Sequence, residues 1–240
     1  MYQTIIKKHE EIHLEESTHT YTLLKSGIEF NSVTEFINTF FTPFEEEKIA
    51  KKLSGKGKYQ NMSHIDILKD WENRRNRGTI IHKEVENFIN NIYKTRDLEE
   101  FDTKSKQAIL FLGKECLHTD NLLFPEVKIC AEKLKLAGTI DLMIYNKKND
   151  QIYLIDWKTN VEIKKKGYNK GIHFPTTQID DCSFNRYQLQ LSFYQYMLEN
   201  FYNTKVGGLY IVHLKDNSYT TLKCAFENNH VSSMLQKRIN

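Results

Sequence analysis

The chain has 240 residues, 40% hydrophobic and 27% charged, with a formal net charge of +3. That length and balance suit one elaborated globular domain and exclude a disordered chain. No run reaches the roughly 18 uninterrupted apolar residues of a bilayer helix, so no membrane partner is expected. The four cysteines, at 116, 130, 182 and 224, are too dispersed for a zinc Cys-x-x-Cys site or a disulfide framework.

Residues 19–30 read as a small hairpin turning at Ser26-Gly27. Ser32-Val33-Thr34-Glu35 is a capping box, in which the Ser32 and Glu35 side chains satisfy each other's orphan amides. It predicts a helix with the stripe Val33, Phe36, Ile37, Phe40 and Phe41, ended by Thr42-Pro43. Five lysines among residues 48–58, loosened by Gly55 and Gly57, fit a solvated face or a DNA-contacting loop equally well. Arg74, Arg75 and Arg77 form a second basic cluster, a candidate for DNA backbone contacts. It leads into Gly78-Thr79, where a helix should open with Ile81, Val85, Phe88, Ile89 and Ile92 at helical spacing. His82 and Glu86, four apart, share a face of that helix. On the residues alone they fit a packed core histidine and an ordinary helix contact as well as a site.

Residues 103–116 read as a further helix and 122–130 as the first long strand, which carries Glu126, either a site carboxylate or an edge charge beside Lys128. The apolar runs 134–145 and 152–157 then form a hairpin about the polar residues 146–151. If Tyr145 faces Ile152, counting back sets Asp141 opposite Asp156. Two carboxylates that close repel, so a cation belongs between them, and Lys158, two residues beyond Asp156, projects from the same face. Opposed acids on a strand pair make an oxygen-rich site suited to Mg²⁺, and a neighbouring lysine can lower the pKa of an attacking water or stabilise developing phosphorane charge. The plainer reading is a strand-end ion pair with Asp141 solvated.

After Lys158 and Thr159 come about two dozen residues of little periodicity, including Lys164, Lys165, Lys166 and Tyr168, read as a mobile flap able to grip a phosphate backbone and stack on a base. Residues 185–202 form a helix with Tyr187, Leu191, Tyr194, Leu198 and Phe201 in one stripe and with Gln190 and Tyr194 on one face. A strand at 208–214 should return parallel to the hairpin, and residues 219–225 and a short helix complete the chain.

Gly138-Thr139-Ile140-Asp141 followed by Asp156-Trp157-Lys158 resembles the core of the PD-(D/E)XK nuclease superfamily, although Ile140 stands where the family often has proline. Gly78-Thr79-x-x-His82-x-x-x-Glu86 and Gln190-x-x-x-Tyr194 resemble motifs of its RecB-like, lambda-exonuclease-like members, and the entry through a hairpin and a Ser-Val-Thr-Glu helix is similar to viral and mitochondrial genome-maintenance exonucleases. The resemblance implies an α/β fold, a restriction-endonuclease-like core with a mixed central sheet flanked by helices. It divides the single domain into an elaboration at 1–77, a catalytic core at 78–214 and a closing strand and helix at 215–240. It implies catalytic roles for Asp141, Asp156, Lys158 and His82. Mg²⁺ or Mn²⁺ would be held by His82, Asp141, Asp156, the Trp157 carbonyl and Glu126. Glu86, Gln190, Tyr194, Thr159 and Tyr187 would support the site or touch substrate. The cysteine spacing does not fit the iron–sulfur members of the family, so no cluster is expected.

The function expected is a metal-dependent deoxyribonuclease, exonucleolytic on single-stranded or duplex DNA ends. The alternatives are a non-catalytic nucleic-acid-binding module of the same fold, an endonuclease, or an RNA-directed nuclease. Abundant Lys, Asn and Ile fit an AT-rich coding sequence such as that of a phage or mobile element, and the lack of an apolar leader after Met1 fits an intracellular protein, in a host cell if viral.

Overall fold

A computed structural model describes residues 2–90 and 98–239, so Ile92 of the predicted stripe lies outside the described residues. In chain order the elements are α1 (Tyr2–Glu10), β1 (Ile12–Glu15), β2 (Thr20–Leu23), β3 (Ile28–Ser32), α2 (Val33–Asn38), α3 (Glu46–Leu53), α4 (His64–Asn90), α5 (Thr103–Phe111), β4 (Asn121–Ala131), β5 (Leu136–Asn146), β6 (Gln151–Lys158), α6 (Ser183–Phe201), β7 (Val206–Leu214), β8 (Tyr219–Cys224) and α7 (Asn228–Ile239). The strands form one mixed eight-stranded sheet in the order β1-β2-β3-β5-β6-β7-β8, with β4 paired to β5.

The sheet is forked at its centre. On one side β4 runs antiparallel along nearly all of β5. On the other, β3 pairs in parallel with Leu136 and Ala137 only, while β6 pairs antiparallel from Leu142 to Asn146. Residues 138–141 of β5 therefore have a strand on one flank alone. The hairpin register follows the count, Tyr145 to Ile152 and Leu142 to Ile155, and the ladder stops just short of Asp141 and Asp156. The turn is shorter than expected, because Asn146 and Gln151 already pair, and the Asn146 side chain accepts the amides of Lys148 and Asn149, each at 3.1 Å.

Helices cover both faces. Ile81, Val85 and Ile89 of α4, with Phe111 and Leu112, pack on Leu142, Ile144, Ile155, Trp157 and Val212. On the opposite face Phe193, Met197 and Leu198 of α6 and Val231 of α7 pack on Met143, Leu154, Leu209 and Ile211. Each such side chain contributes roughly 1.5–3 kcal/mol by leaving water. The edge of β4 is screened as well: His9 of α1 accepts the Lys128 amide at 2.9 Å, and the Tyr202 hydroxyl bonds the Cys130 amide at 2.9 Å and its carbonyl at 3.0 Å.

Three expectations need correction. Helix α4 opens at His64 and not at Gly78. Its true start is a second capping box, in which the Ser63 hydroxyl accepts the Asp66 amide at 3.2 Å and Asp66 accepts the Ser63 amide at 2.9 Å. Gly78 sits inside the helix, where a Cβ would lie 3.2 Å from Thr159 Oγ1. The lysine-rich stretch after residue 48 is mostly helix α3, with Lys48 and Lys51 paired to Glu45 and Glu47. The expected flap at 159–182 is a folded loop, tied down through the Phe40 carbonyl, which accepts Ile172 N at 2.8 Å and Thr176 Oγ1 at 3.1 Å. The capping box at Ser32 and Glu35 forms as expected.

Gly138 lies directly against α6, since a Cβ there would meet the Tyr194 ring at 2.5 Å. Gly138→Ala is expected to displace that ring and to destabilise the fold by about 1–3 kcal/mol. Denaturant unfolding measures the loss, with Gly113→Ala, where a Cβ meets nothing within 4 Å, as the control.

Candidate active site

The fork decides where the acids go. Pro125 has no amide to give the ladder, and the next residue, Glu126, adopts a left-handed backbone with φ 48°. Pairing resumes between Val127 and Ile140, so the ladder skips both Glu126 and Asp141. Released from the regular pleat, both side chains reach towards α4. His82 Nδ1 comes down from that helix to 3.6 Å from Glu126 Oε1 and 3.7 Å from Asp141 Oδ2. These three side chains offer ligand atoms within 4.8 Å of one another. Strain held at Glu126 by its surroundings is characteristic of a functional position.

Asp156 and Lys158 end β6 beside this group. Lys158 Nζ lies 2.8 Å from both Asp156 carboxylate oxygens, but only Oδ1 is aligned for a hydrogen bond. Oδ2 is left buried without one among the described residues. Asp141 Oδ2 accepts the Trp157 amide at 2.8 Å, which ties the two strands together where their ladder has ended. Lys158 also lies over the Tyr187 ring, 4.5 Å from its centroid.

The charges are mutually dependent. Burial pushes the Asp156 carboxyl up to about 6, against the attraction of Lys158 and with added repulsion from Asp141. Burial likewise raises Asp141, opposed by the charges of His82 and Lys158. Burial alone would lower His82, but Asp141 and Glu126 outweigh it and lift the ring to about 9. Burial would lower Lys158 too, and the Asp156 and Asp141 charges instead hold it above its usual value, so it stays a cation.

A divalent cation fits this donor set. Two carboxylates and an imidazole converge, and a further carboxylate oxygen is buried without a hydrogen bond among the described residues, while burial raises both aspartates. Asp156 itself stands outside the compact His82–Glu126–Asp141 group, and the Trp157 group seen to act there is its amide.

Of the other residues singled out, Gln190 donates to the Tyr194 hydroxyl at 3.1 Å, and Tyr194 lies on Gly138. The Thr159 carbonyl accepts Lys104 Nζ at 2.6 Å. Glu86 turns away to pair with Lys83 at 2.8 Å. The arginines are engaged with acids: Arg74 with Asp70, Arg75 with Glu46, and Arg77 with Asp102 and Asp216. Arg77 thus braces α4 against the start of α5 and the turn before β8. Lys164, Lys165 and Lys166 are exposed. Sequence reasoning missed Tyr21, whose hydroxyl lies 3.0 Å from Thr139 Oγ1 beside the acids, and Lys104. Neither has a local signal, because the contact spans 118 positions for Tyr21 and 55 for Lys104.

This mixed α/β sheet, flanked by helices and with carboxylates gathered at its split centre, has the restriction-endonuclease-like architecture. Residues 111–237, a little over half of the chain, match the PD-(D/E)XK nuclease superfamily, and the chain belongs to that family. No curated protein matches it. Nucleases of the superfamily use divalent metal and act on nucleic acid.

Protons compete with a cation for these groups, so divalent affinity should climb as pH rises from about 6, the Asp156 value, to about 9, the His82 value. In the metal-free protein the sign is opposite. His82 is raised on folding, so its contribution to stability is complete below its usual 6.5 and is lost as pH rises through about 9. Calorimetry across this range checks the first trend, and melting in chelator, with His82→Ala as the flattened control, checks the second. Affinity independent of pH would show that neither group meets the cation.

Proposed function

We propose that the chain is a Mg²⁺- or Mn²⁺-dependent deoxyribonuclease, working as an exonuclease on DNA ends in phage, mobile-element or genome-maintenance DNA processing, with its 240 residues acting as one nuclease domain. The observation that carries this reading is the meeting of His82, Glu126 and Asp141 beside the Asp156–Lys158 pair. His82, Glu126, Asp141, Asp156 and the Trp157 carbonyl would hold the ion, which when bound polarises phosphate and makes water a stronger nucleophile near neutral pH.

The rest falls to the chain's own side chains. Lys158 stays protonated next to Asp156, which suits it to stabilise negative charge developing on phosphate oxygens better than to remove a proton from water. Tyr187 and Gln190–Tyr194 line the α6 side of the cleft, where they would orient a strand, while the clamp on Thr159 fixes the residue after Lys158. Preference for DNA ends is supported by the resemblance of the entry hairpin and capped helix to exonucleolytic members.

A non-catalytic binding module would have little reason to keep these acids, since buried like charges cost stability when no cation offsets them. End-labelled linear DNA, covalently closed DNA and RNA of matched sequence, each with Mg²⁺ or Mn²⁺, test the reading. Loss of the linear substrate alone, nucleotide by nucleotide, is expected. Cutting of closed circles would make it an endonuclease, and preference for RNA would change the substrate.

Asp141→Asn should abolish hydrolysis while the protein still folds, because the amide can go on accepting the Trp157 N–H. Retained turnover would remove the core of the argument. Lys158→Ala should lose most activity with little change in metal affinity, and calorimetric titration separates the two. A joint collapse would make the lysine structural. For His82→Ala the expected loss exceeds that of Glu86→Gln or Gln190→Ala, since residues that only orient a metal ligand typically cost about 10–100-fold. The loss should be larger with Mn²⁺ than with Mg²⁺, because imidazole suits the softer ion. Equal effects in the three variants would return His82 to a packing role.

A further inference from the structure

The loop between β6 and α6 presents large apolar side chains to water. Tyr168 is fully exposed, Phe174 is 70% exposed, and Val161 and Ile172 are exposed beside them. Isolated exposed hydrophobics are common and need no explanation, but here they cluster on a loop whose backbone is held in place.

Asn160 is gripped at the loop's start, its carbonyl 2.6 Å from His213 Nε2 and its side chain accepting the Tyr187 hydroxyl at 3.0 Å. Further on, Gly171 N bonds Ile179 O at 3.0 Å, Asp181 N bonds Asn169 O at 2.8 Å, and Phe184 N bonds Lys164 O at 3.0 Å, so the loop folds back on itself. The two runs lie so close that a Cβ at Gly167 would meet Asp181 O at 2.3 Å, and one at Gly171 would meet Thr176 Oγ1 at 2.0 Å. Only glycine permits that approach. The aromatic rings thus stand on a tied frame. Around them Lys164, Lys165, Lys166 and Lys170 are exposed and enter no ion pair with a described acid, while Asp181 is neutralised by Arg186 at 2.8 Å.

Outward rings among ammonium groups without a described ion-pair partner, of which Lys165 lies 5.6 Å from the Phe184 ring centroid, match one ligand chemistry, a polyanion whose π-faces are free to stack. Duplex DNA hides its base faces, whereas a single strand exposes them. Stacking on aromatic side chains with lysines along the backbone is how sequence-tolerant single-strand binding works. One end of the loop continues from Lys158 and the other enters α6, which carries Tyr187, Gln190 and Tyr194. A strand seated on the loop would therefore lead into the acids.

We propose that residues 161–174 form a binding platform for single-stranded nucleic acid, with Tyr168 and Phe174 stacking on unpaired bases and Lys164, Lys165, Lys166 and Lys170 holding the phosphates. This rests on the nuclease reading above and makes the substrate a strand with unpaired bases at its end.

The test is binding in chelator, where no cleavage occurs, read by fluorescence anisotropy with a labelled single-stranded oligonucleotide of roughly 12 nucleotides and the blunt duplex of the same sequence. Tyr168→Ala and Phe174→Ala should each weaken single-strand binding about tenfold and leave duplex binding unchanged within about twofold, whereas Tyr168→Phe should retain wild-type affinity. Unaltered melting temperatures would confirm that the variants fold. Equal loss on both probes, no loss on either, or a Tyr168→Phe variant as weak as Tyr168→Ala overturns the platform. If wild type hydrolyses DNA but the alanine variants bind normally, the platform alone fails. If wild type neither binds nor hydrolyses either probe, the nuclease reading fails and the platform with it.

Discussion

Three carboxylates, an imidazole and an ammonium group are gathered at the centre of this sheet. Glu126 and Asp141 converge on His82 in a half-buried site, and buried Asp156 stands beside them against Lys158. The local architecture accommodates that crowding. The ladder ends before the acids, the Trp157 amide turns to Asp141, and α4 must come close enough for an imidazole to reach. Gly78 faces Thr159 closely on one side of the sheet, and the Tyr194 ring leaves no room for a Cβ at Gly138 on the other. The fork lets helices on opposite faces of a single sheet address one point, which an unbroken sheet would forbid.

The matched family region begins at residue 111, so it supplies the acids and the lysine but not His82. The imidazole comes from α4, whose seat is fixed by Arg77 bridging to Asp102 and Asp216. Asp102 also caps α5 by accepting the Lys104 amide at 2.8 Å, which sets the base from which Lys104 reaches the Thr159 carbonyl. The segment before the core is therefore part of the site's scaffold.

What the sequence revealed follows from the range of the interactions involved. The hairpin register was readable once Tyr145 was set against Ile152 across the polar turn, and α6 because Tyr187, Leu191, Tyr194 and Leu198 repeat at helical spacing. The Ser32 box was readable because it is complete within four residues. The first half of α4 was not, since residues 64–77 are mostly polar with no strong stripe, and Gly78 looked like a beginning when it marks a close crossing. The Ser63–Asp66 box was the available signal. The partners of Arg77 and the seat of the 159–182 loop depend on residues far along the chain, Asp216 and Phe40, which local pattern cannot supply. Glu126 could be named as a carboxylate, but the left-handed turn that aims it arises from the neighbouring proline and the fork together.

That kink also bears on how copies of the chain meet. β4 is eleven residues long, rich in Leu, Ile and Val, and bonded to a strand on one side only. A straight apolar edge of that length is a template on which a second molecule could add a strand. Here Pro125, which has no amide to offer, and the unregistered Glu126 interrupt it, His9 occupies the Lys128 amide, and Tyr202 caps Cys130. A substitution that straightened the strand would disarm the acids and, by the same movement, open an adhesive edge. The shape of the candidate site and the blunting of the sheet edge thus rest on one irregularity.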